Sequence, residues 1–259
     1  MKFWHMSGAG NDFAVLDARG LELDFSSLAV KLCKQLGADG FMAVDKSEVA
    51  DFRLHFYNSD GSRGEMCGNG ARCICKFAYD RGIAEEESMT VETDAGIVGG
   101  WRLGEDLYKV KLNNPGILDL HRREDAAYVE LGDPGVPHSV TEVPGLTHDQ
   151  KENLRPQALE LRHDPVFPKG VNVNLYTKLS EDRVRILTFE RGVEDYTLAC
   201  GTGCGSTTAV LWSQGKLPGG KLTLENKGGT LEVTVKGEKG RIHQLILEGP
   251  AEVLAEYDI

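Results

Sequence analysis

Apolar residues along this chain fall in short runs that mostly alternate with polar ones, and glycine-rich or Asn/Asp-rich turns separate them. The apolar-rich stretches Lys2 to Met6 and Phe13 to Asp17 flank Gly8-Ala9-Gly10-Asn11-Asp12, which predicts strand, loop, strand. Ser26 and Ser27 then precede Leu28, Val30, Leu32, Cys33 and Leu36 at helical spacing, and Gly37 ends the run. This predicts an amphipathic helix capped at both ends. Phe52, Leu54 and Phe56 alternate with polar partners in a strand over Asp51 to Tyr57, closed by the turn formers Asn58-Ser59-Asp60-Gly61. Further strands are expected at Met89 to Thr93, Ile97 to Leu103 and Leu107 to Leu112.

Asn113-Asn114-Pro115-Gly116 and the charged run His121-Arg122-Arg123-Glu124-Asp125 cannot bury a core face, so the boundary between two domains is placed there. The expected domains are 1–114 and 115–249. In the second half the pattern predicts strands at Tyr128 to Leu131 and Ser139 to Val143, then a polar helix or loop from His148 to Leu161. Strands follow at Asn172 to Tyr176 and Val184 to Phe189, then a helix from Gly201 and paired strands through Leu222 to Leu254.

Composition narrows the class. At 259 residues with 41% hydrophobic and 27% charged residues, the chain can bury a proper core. A net charge of -11 without any basic block argues against a nucleic-acid partner. No apolar run approaches the roughly 18 residues of a membrane span, and the first residues form no signal peptide, so a cytoplasmic protein without a membrane partner is expected. Six cysteines in such a chain read as reduced thiols. Only Cys200 and Cys204 have a zinc-like spacing, too little for a metal site.

Two of those cysteines open the same local device, once in each half: Glu65-Met66-Cys67-Gly68-Asn69-Gly70-Ala71-Arg72-Cys73 and Leu198-Ala199-Cys200-Gly201-Thr202-Gly203-Cys204-Gly205. Each is a cysteine, then Gly-x-Gly, then a run able to form a helix. A motif repeated at matching places in two halves is a mark of duplication, and a pseudo-twofold axis could set the two cysteines facing each other across a cleft. A cysteine at a helix N-terminus feels the positive end of the helix dipole, which draws a free thiol pKa of about 8.5 toward about 3.5 to 7.5. The glycines let a ligand approach the unpaired N–H groups of the first turn, a setting suited to a carboxylate. Inverting an amino-acid α-carbon needs two opposed acid/base groups and stabilisation of charge on the carboxylate, and such a pair supplies both without an electron-sink cofactor. The competing reading makes both Gly-x-Gly elements tight turns and both cysteines small core residues.

With Gly10-Asn11-Asp12-Phe13, Asn58-Ser59-Asp60-Gly61-Ser62 and Glu190-Arg191-Gly192 beside the two cysteine motifs, the sequence resembles the diaminopimelate epimerase family over essentially its whole length. The resemblance implies an α/β fold of the α+β type, with two pseudo-symmetric domains, each a β-sheet wrapped around a central helix, and an active site in the inter-domain cleft. It implies that the last strand, within 250–259, completes the N-terminal domain. By motif, Cys67 and Cys200 would be the acid/base pair. Backbone N–H groups at Gly68, Asn69, Gly201 and Thr202 would hold the reacting carboxylate, and Asn11, Asn58, Asn172, Glu190 and Arg191 would receive the amino groups and distal end. The planar fork of Arg191 suits a distal carboxylate, although each asparagine alone also reads as a turn residue. The family often forms homodimers, and needs no cofactor or metal.

In Gly135-Val136-Pro137-His138 this chain carries Val136 where many family members carry an asparagine that can contact substrate, so one polar contact is absent or comes from another group. His138 stays in register, either lining the site or satisfied by backbone. The implied activity interconverts LL- and meso-diaminopimelate in lysine and peptidoglycan precursor synthesis. Its rivals are a cofactor-independent racemase of another amino acid, a non-catalytic binding protein and a thiol redox protein. Asn69 stands where proline racemases carry a histidine, and a carboxylate-binding protein would need the amides but not both cysteines.

Overall fold

The computed structural model describes every residue except Glu65, Met66, Lys239 and Ile259, so the first two residues of the Cys67 motif lie outside the described residues. The fold divides into two compact units: Met1–Lys111 with Glu248–Ile259 (unit 1), and Leu112–Leu247 (unit 2). Unit 1 runs β1 (Lys2–Gly8), β2 (Asn11–Asp17), α1 (Phe25–Leu36), β3 (Gly40–Asp45), β4 (Phe52–Asn58), β5 (Arg63–Gly64), α2 (Gly68–Asp80), β6 (Ser88–Thr93), β7 (Gly96–Arg102) and β8 (Leu107–Leu112). The next strands are β9 (Pro115–Asp119), β10 (Ala127–Gly132) and β11 (Gly135–Glu142), followed by α3 (Lys151–His163), β12 (Asn172–Lys178), β13 (Arg183–Glu190) and β14 (Asp195–Tyr196). Helix α4 (Gly201–Ser213) and strands β15 (Lys221–Asn226), β16 (Gly229–Glu238), β17 (Arg241–Pro250) and β18 (Glu252–Asp258) complete the chain.

The two units share one pairing plan. Strands β1 and β2 are antiparallel, β2 and β3 parallel, β3 and β4 antiparallel, β4 and β6 parallel, and β6 and β7 antiparallel. In unit 2 the same sequence of pairings links β10 to β11, β11 to β12, β12 to β13, β13 to β15 and β15 to β16. A parallel pair needs a long crossover, and each of the four is bridged by one of the four helices. Strand β9 lies antiparallel beside β10, and β18 holds the same place beside β1. The outer neighbour of β1 therefore comes from the far end of the chain.

Alternation along the strands gives each sheet two faces. On one face of unit 1, Ala14, Leu16, Phe41 and Ala43 pack with Ala29, Leu32 and Cys33 of α1. On the other, Phe13 and Met42 approach Gly70 of α2, which packs against β1, β2, β3 and β7. Unit 2 repeats this: Val173, Leu175, Leu187 and Phe189 pack with Ala158 and Leu161 of α3, whereas Asn174 and Thr188 face Gly203 of α4. Because α2 and α4 are covered by strands, nearly every residue of their first ten is buried. Helix α4 accordingly has no polar stripe. Its Thr207 and Thr208 bury their hydroxyls by donating to Gly203 O at 2.9 Å and Cys204 O at 2.8 Å.

One local expectation is corrected, and two strands are added. The N-cap of α1 is Asp24, ahead of the serines, because its carboxylate accepts both the Ser27 N–H at 3.1 Å and the Ser27 hydroxyl at 2.6 Å. The C-terminal stop at Gly37 has the left-handed φ of 69° that glycine tolerates best. Strand β3, a continuous apolar run buried on both faces, and strand β9, entered through Pro115, were not marked by any alternation. Among the described residues, no helix is long and apolar enough to cross a membrane.

The face assignment of α1 is testable by chemical denaturation. Leu32→Ala, at a fully buried position, should lower the unfolding free energy by about 3 kcal/mol. Gln35→Ala, at an exposed position, should change it by less than about 0.5 kcal/mol. Comparable losses from both would show that α1 does not present this face to the sheet.

Candidate functional site

In unit 1, Cys67 is the N-cap of α2, with extended backbone (φ −128°, ψ 123°). Its carbonyl accepts the first helical bond from Ala71 N–H at 2.7 Å, so the N–H groups of Gly68, Asn69 and Gly70 precede the helical ladder. The half-buried Cys67 Sγ donates to Asn11 Oδ1 at 3.5 Å, and Asn69 Nδ2 donates to the same oxygen at 3.4 Å. Asp39 decides which end of the Asn11 amide faces the sulfur. Its carboxylate only accepts, and it takes Asn11 Nδ2 at 2.6 Å together with the Asp12 N–H at 2.9 Å. Fully buried Arg72 fixes the first turn of α2 from below, donating through Nη1 to Gly68 O at 3.3 Å and through Nε to Pro250 O at 3.2 Å. Asn58 is exposed at the end of β4 and donates to Ser62 Oγ at 2.9 Å.

In unit 2, Cys200 is the N-cap of α4 with similar backbone (φ −120°, ψ 109°), and its carbonyl accepts from Cys204 N–H at 2.9 Å. Its sulfur accepts the Gly203 N–H at 3.4 Å and lies 3.5 Å from Thr202 Oγ1. Glycine at 203 is a matter of space: a Cβ there would meet Asn174 Oδ1 at 2.2 Å and Thr188 Oγ1 at 3.1 Å. Asn172 is buried and braced at both ends, donating to Pro137 O at 3.2 Å and accepting the Arg191 N–H at 2.9 Å. The Arg191 guanidinium donates through Nη1 to Lys169 O at 2.8 Å and meets no carboxylate among the described residues. Glu190 accepts a hydrogen bond from Thr197 Oγ1 at 2.7 Å. Val136 is partly exposed on β11 opposite Leu131.

The electrostatics of Cys200 correct the reading from the helix dipole. Burial and the negative charge of Glu190 hold its thiol well above the usual cysteine range, and the opposing hydrogen bonds from Thr202 and Gly203 are the smaller effects. The thiol is therefore its resting form. His138 is fully buried, and its partner is a side chain rather than the backbone: Asn174 Nδ2 donates to its Nδ1 at 3.2 Å. Burial, reinforced by the charge of Arg191, pulls its pKa down to about 3, so the ring is neutral. All six cysteines are free thiols, and among the described residues no group of three or more His, Cys, Asp or Glu could hold a metal ion.

Sequence reasoning did not single out Asp39, Thr197 or Asn174, which orient named residues without standing in a motif. Asn174 had a signal in the strand period, since it lies two residues beyond Asn172 and shares its face.

Comparison with known proteins gives the following. The family model described as "Diaminopimelate epimerase" matches residues 3–101 and 132–254. A diaminopimelate epimerase of Flavobacterium psychrophilum is 32% identical, covering 100% of both chains. One from Caldanaerobacter subterraneus is 35% identical over 81% of this chain and 83% of its own. Among solved structures, a PhzF-family phenazine biosynthesis protein of Bacillus anthracis superposes with a TM-score of 0.76 at 19% identity, covering 100% and 98% of the two chains. A hydroxyproline epimerase from Agrobacterium vitis does so with a TM-score of 0.70 at 16% identity, covering 100% and 90%. At these identities the structural likeness shows a shared fold and nothing finer.

Two outcomes are expected at Cys200. Replacing Glu190 by Gln should move the pH profile of iodoacetamide labelling at Cys200, mapped by mass spectrometry, toward lower pH. Removing a negative charge favours the thiolate, so an unmoved profile would refute the electrostatic coupling. Gly203→Ala should push the first turn of α4 off Asn174 and lower thermal stability, and a variant as stable as the parent would contradict the packing described.

Proposed function

We propose that this chain, which belongs to the diaminopimelate epimerase family, interconverts LL- and meso-2,6-diaminopimelate by a proton exchange in which Cys67 and Cys200 serve opposite faces of the α-carbon. Family membership makes it an isomerase acting on a small amino acid, and the two-cysteine scheme is the reading added here. The observation that carries it is that each cysteine caps the buried central helix at the equivalent position of two units with one pairing plan.

In the forward step one cysteine, as thiolate, takes the α-proton and becomes a thiol. The other, as thiol, gives its proton to the opposite face and becomes a thiolate, so each turnover exchanges their states. The first-turn N–H groups at Gly68, Asn69, Gly201 and Thr202 stabilise the negative charge that the carboxylate gains as the α-proton leaves. On this reading Asn11, Asn58, Asn172 and Glu190 receive amino groups, and Arg191 receives the distal carboxylate. Asn11 already presents its oxygen to Cys67, and Arg191 has guanidinium N–H groups not engaged by Lys169 O. The same reading makes it a cytoplasmic enzyme that works without cofactor on a free small molecule, in lysine and peptidoglycan precursor synthesis, as a homodimer of the kind the family forms.

Reduced protein incubated with LL-diaminopimelate in D2O should take up α-deuterium and yield the meso isomer, read by mass spectrometry and chiral chromatography. Cys67→Ala and Cys200→Ala should each cut turnover by at least about 10³-fold; near-native epimerisation by either variant would sink the scheme. Arg191→Ala should chiefly raise KM, and unchanged kinetics would remove its assigned role.

A further inference from the structure

The two units follow one plan, yet the strips of side chain beneath their central helices differ in kind. In unit 1 a Cβ on Gly70 would meet Met42 Sδ at 3.0 Å and Phe13 Cζ at 3.4 Å, and Met42 pairs with Phe56 across β3 and β4. The pairing register places His138, Asn174 and Thr188 of unit 2 at the positions of Phe13, Met42 and Phe56. All three are buried, so an apolar strip in one unit answers to a hydrogen-bonded polar one in the other.

We propose that Asn174 is a positioning residue for the Cys200 half of the site: its amide fixes His138 as the Nε2–H tautomer and seats the first turn of α4 so that the Gly203 N–H stays on the Cys200 sulfur. The proposal deepens the reading above and rests on Cys200 being a reacting thiol. The orientation of the amide is not arbitrary. Ser139 O can only accept, and it lies 2.8 Å from Asn174 Nδ2, so the NH2 group faces it. The second hydrogen of that group has His138 Nδ1 at 3.2 Å as its nearer acceptor, with Asn172 O farther at 3.4 Å, and the carbonyl accepts from Thr188 Oγ1 at 3.0 Å. A ring nitrogen that accepts carries no proton, so the proton of the neutral His138 ring sits on Nε2. That N–H is buried and has no hydrogen-bond partner among the described residues.

The other end of the amide seats the helix. Asn174 Oδ1 lies 2.2 Å from where a Cβ on Gly203 would be, so the backbone that supplies the N–H to Cys200 rests directly on this oxygen. A residue of different length or polarity at 174 releases both the ring and the helix start. Asn174 touches neither sulfur by any hydrogen bond, and acts through His138 and Gly203.

The test uses the whole chain labelled with ¹⁵N in its histidine rings and backbone. Native protein should show one buried histidine in the Nε2–H form that does not titrate between pH 5 and 9, assigned by its loss in His138→Gln. In Asn174→Ala the ring proton should redistribute between the two nitrogens and the Gly203 amide resonance should move. The kcat for diaminopimelate should fall about 10- to 100-fold, the scale of a small misplacement of reacting groups, with KM held within about twofold. A native His138 protonated at Nδ1, or a folded Asn174→Ala with native kcat, would overturn the proposal. If Asn174→Ala does not fold, Thr188→Val, which removes only the hydroxyl donor to the amide, should give the same spectral changes in weaker form, and a spectrum identical to the parent's would overturn it equally. The ring and amide signals do not depend on turnover. If the native protein shows them but exchanges no α-proton, the failure belongs to the proposed activity and not to the positioning role.

Discussion

The constraint on which this structure depends is the burial of a helix start. Helices usually leave their first N–H groups to water or to a polar capping side chain. Here α2 and α4 begin inside the wrap of a sheet, with a cysteine as the N-cap. Burying a polar helix end is costly unless its donors are used. A sulfur is a weak acceptor, so Cys200 satisfies the Gly203 N–H only loosely at 3.4 Å. The donors of such a turn suit an anion better than the residue that caps it, and this is what the proposed function draws on.

Glycine makes that burial possible. Gly70 and Gly203 stand at the third helical position of α2 and α4, where an added Cβ would press on the strands beneath. Both units have this contact, but the residues under it differ. In unit 1 the neighbours are a thioether and an aromatic ring, which fill space and accept little. In unit 2 they are an amide and a hydroxyl, and directed bonds lock these to each other and to the His138 ring. Apolar packing tolerates small displacements; a buried hydrogen-bond network with one satisfied arrangement does not.

The parts legible in the sequence were those carried by short, self-contained patterns. Cys67 and Cys200 were visible because the same cysteine and Gly-x-Gly spacing occurs twice, and most strands because alternation reports one buried face. Strand β3 was missed because Gly40–Asp45 is buried on both faces and shows no alternation. The start of α1 was misplaced because serines and aspartate compete for one cap, and only geometry shows that the Asp24 carboxylate wins. The thiol of Cys200 was misjudged for a different reason. The helix-end effect is local and can be read from a motif, but the burial and the Glu190 charge that outweigh it come from residues brought together by the fold. Asp39 and Thr197 escaped notice likewise, since a residue that orients another has no signature of its own.

The exchange proposed above needs one thiol and one thiolate at every moment. Two cysteines in identical surroundings would hold protons equally, with nothing to select which of them begins as the thiolate. Here the surroundings are unequal. Cys200 is buried beside a carboxylate that favours the thiol, while Cys67 is half-buried with an asparagine oxygen that accepts its S–H. The backbone supplies an equivalent helix end in each unit, whereas the burial and the neighbouring groups of the two cysteines differ. On the proposed mechanism the two cysteines exchange states at every turnover, so this difference biases which of them begins as the thiolate.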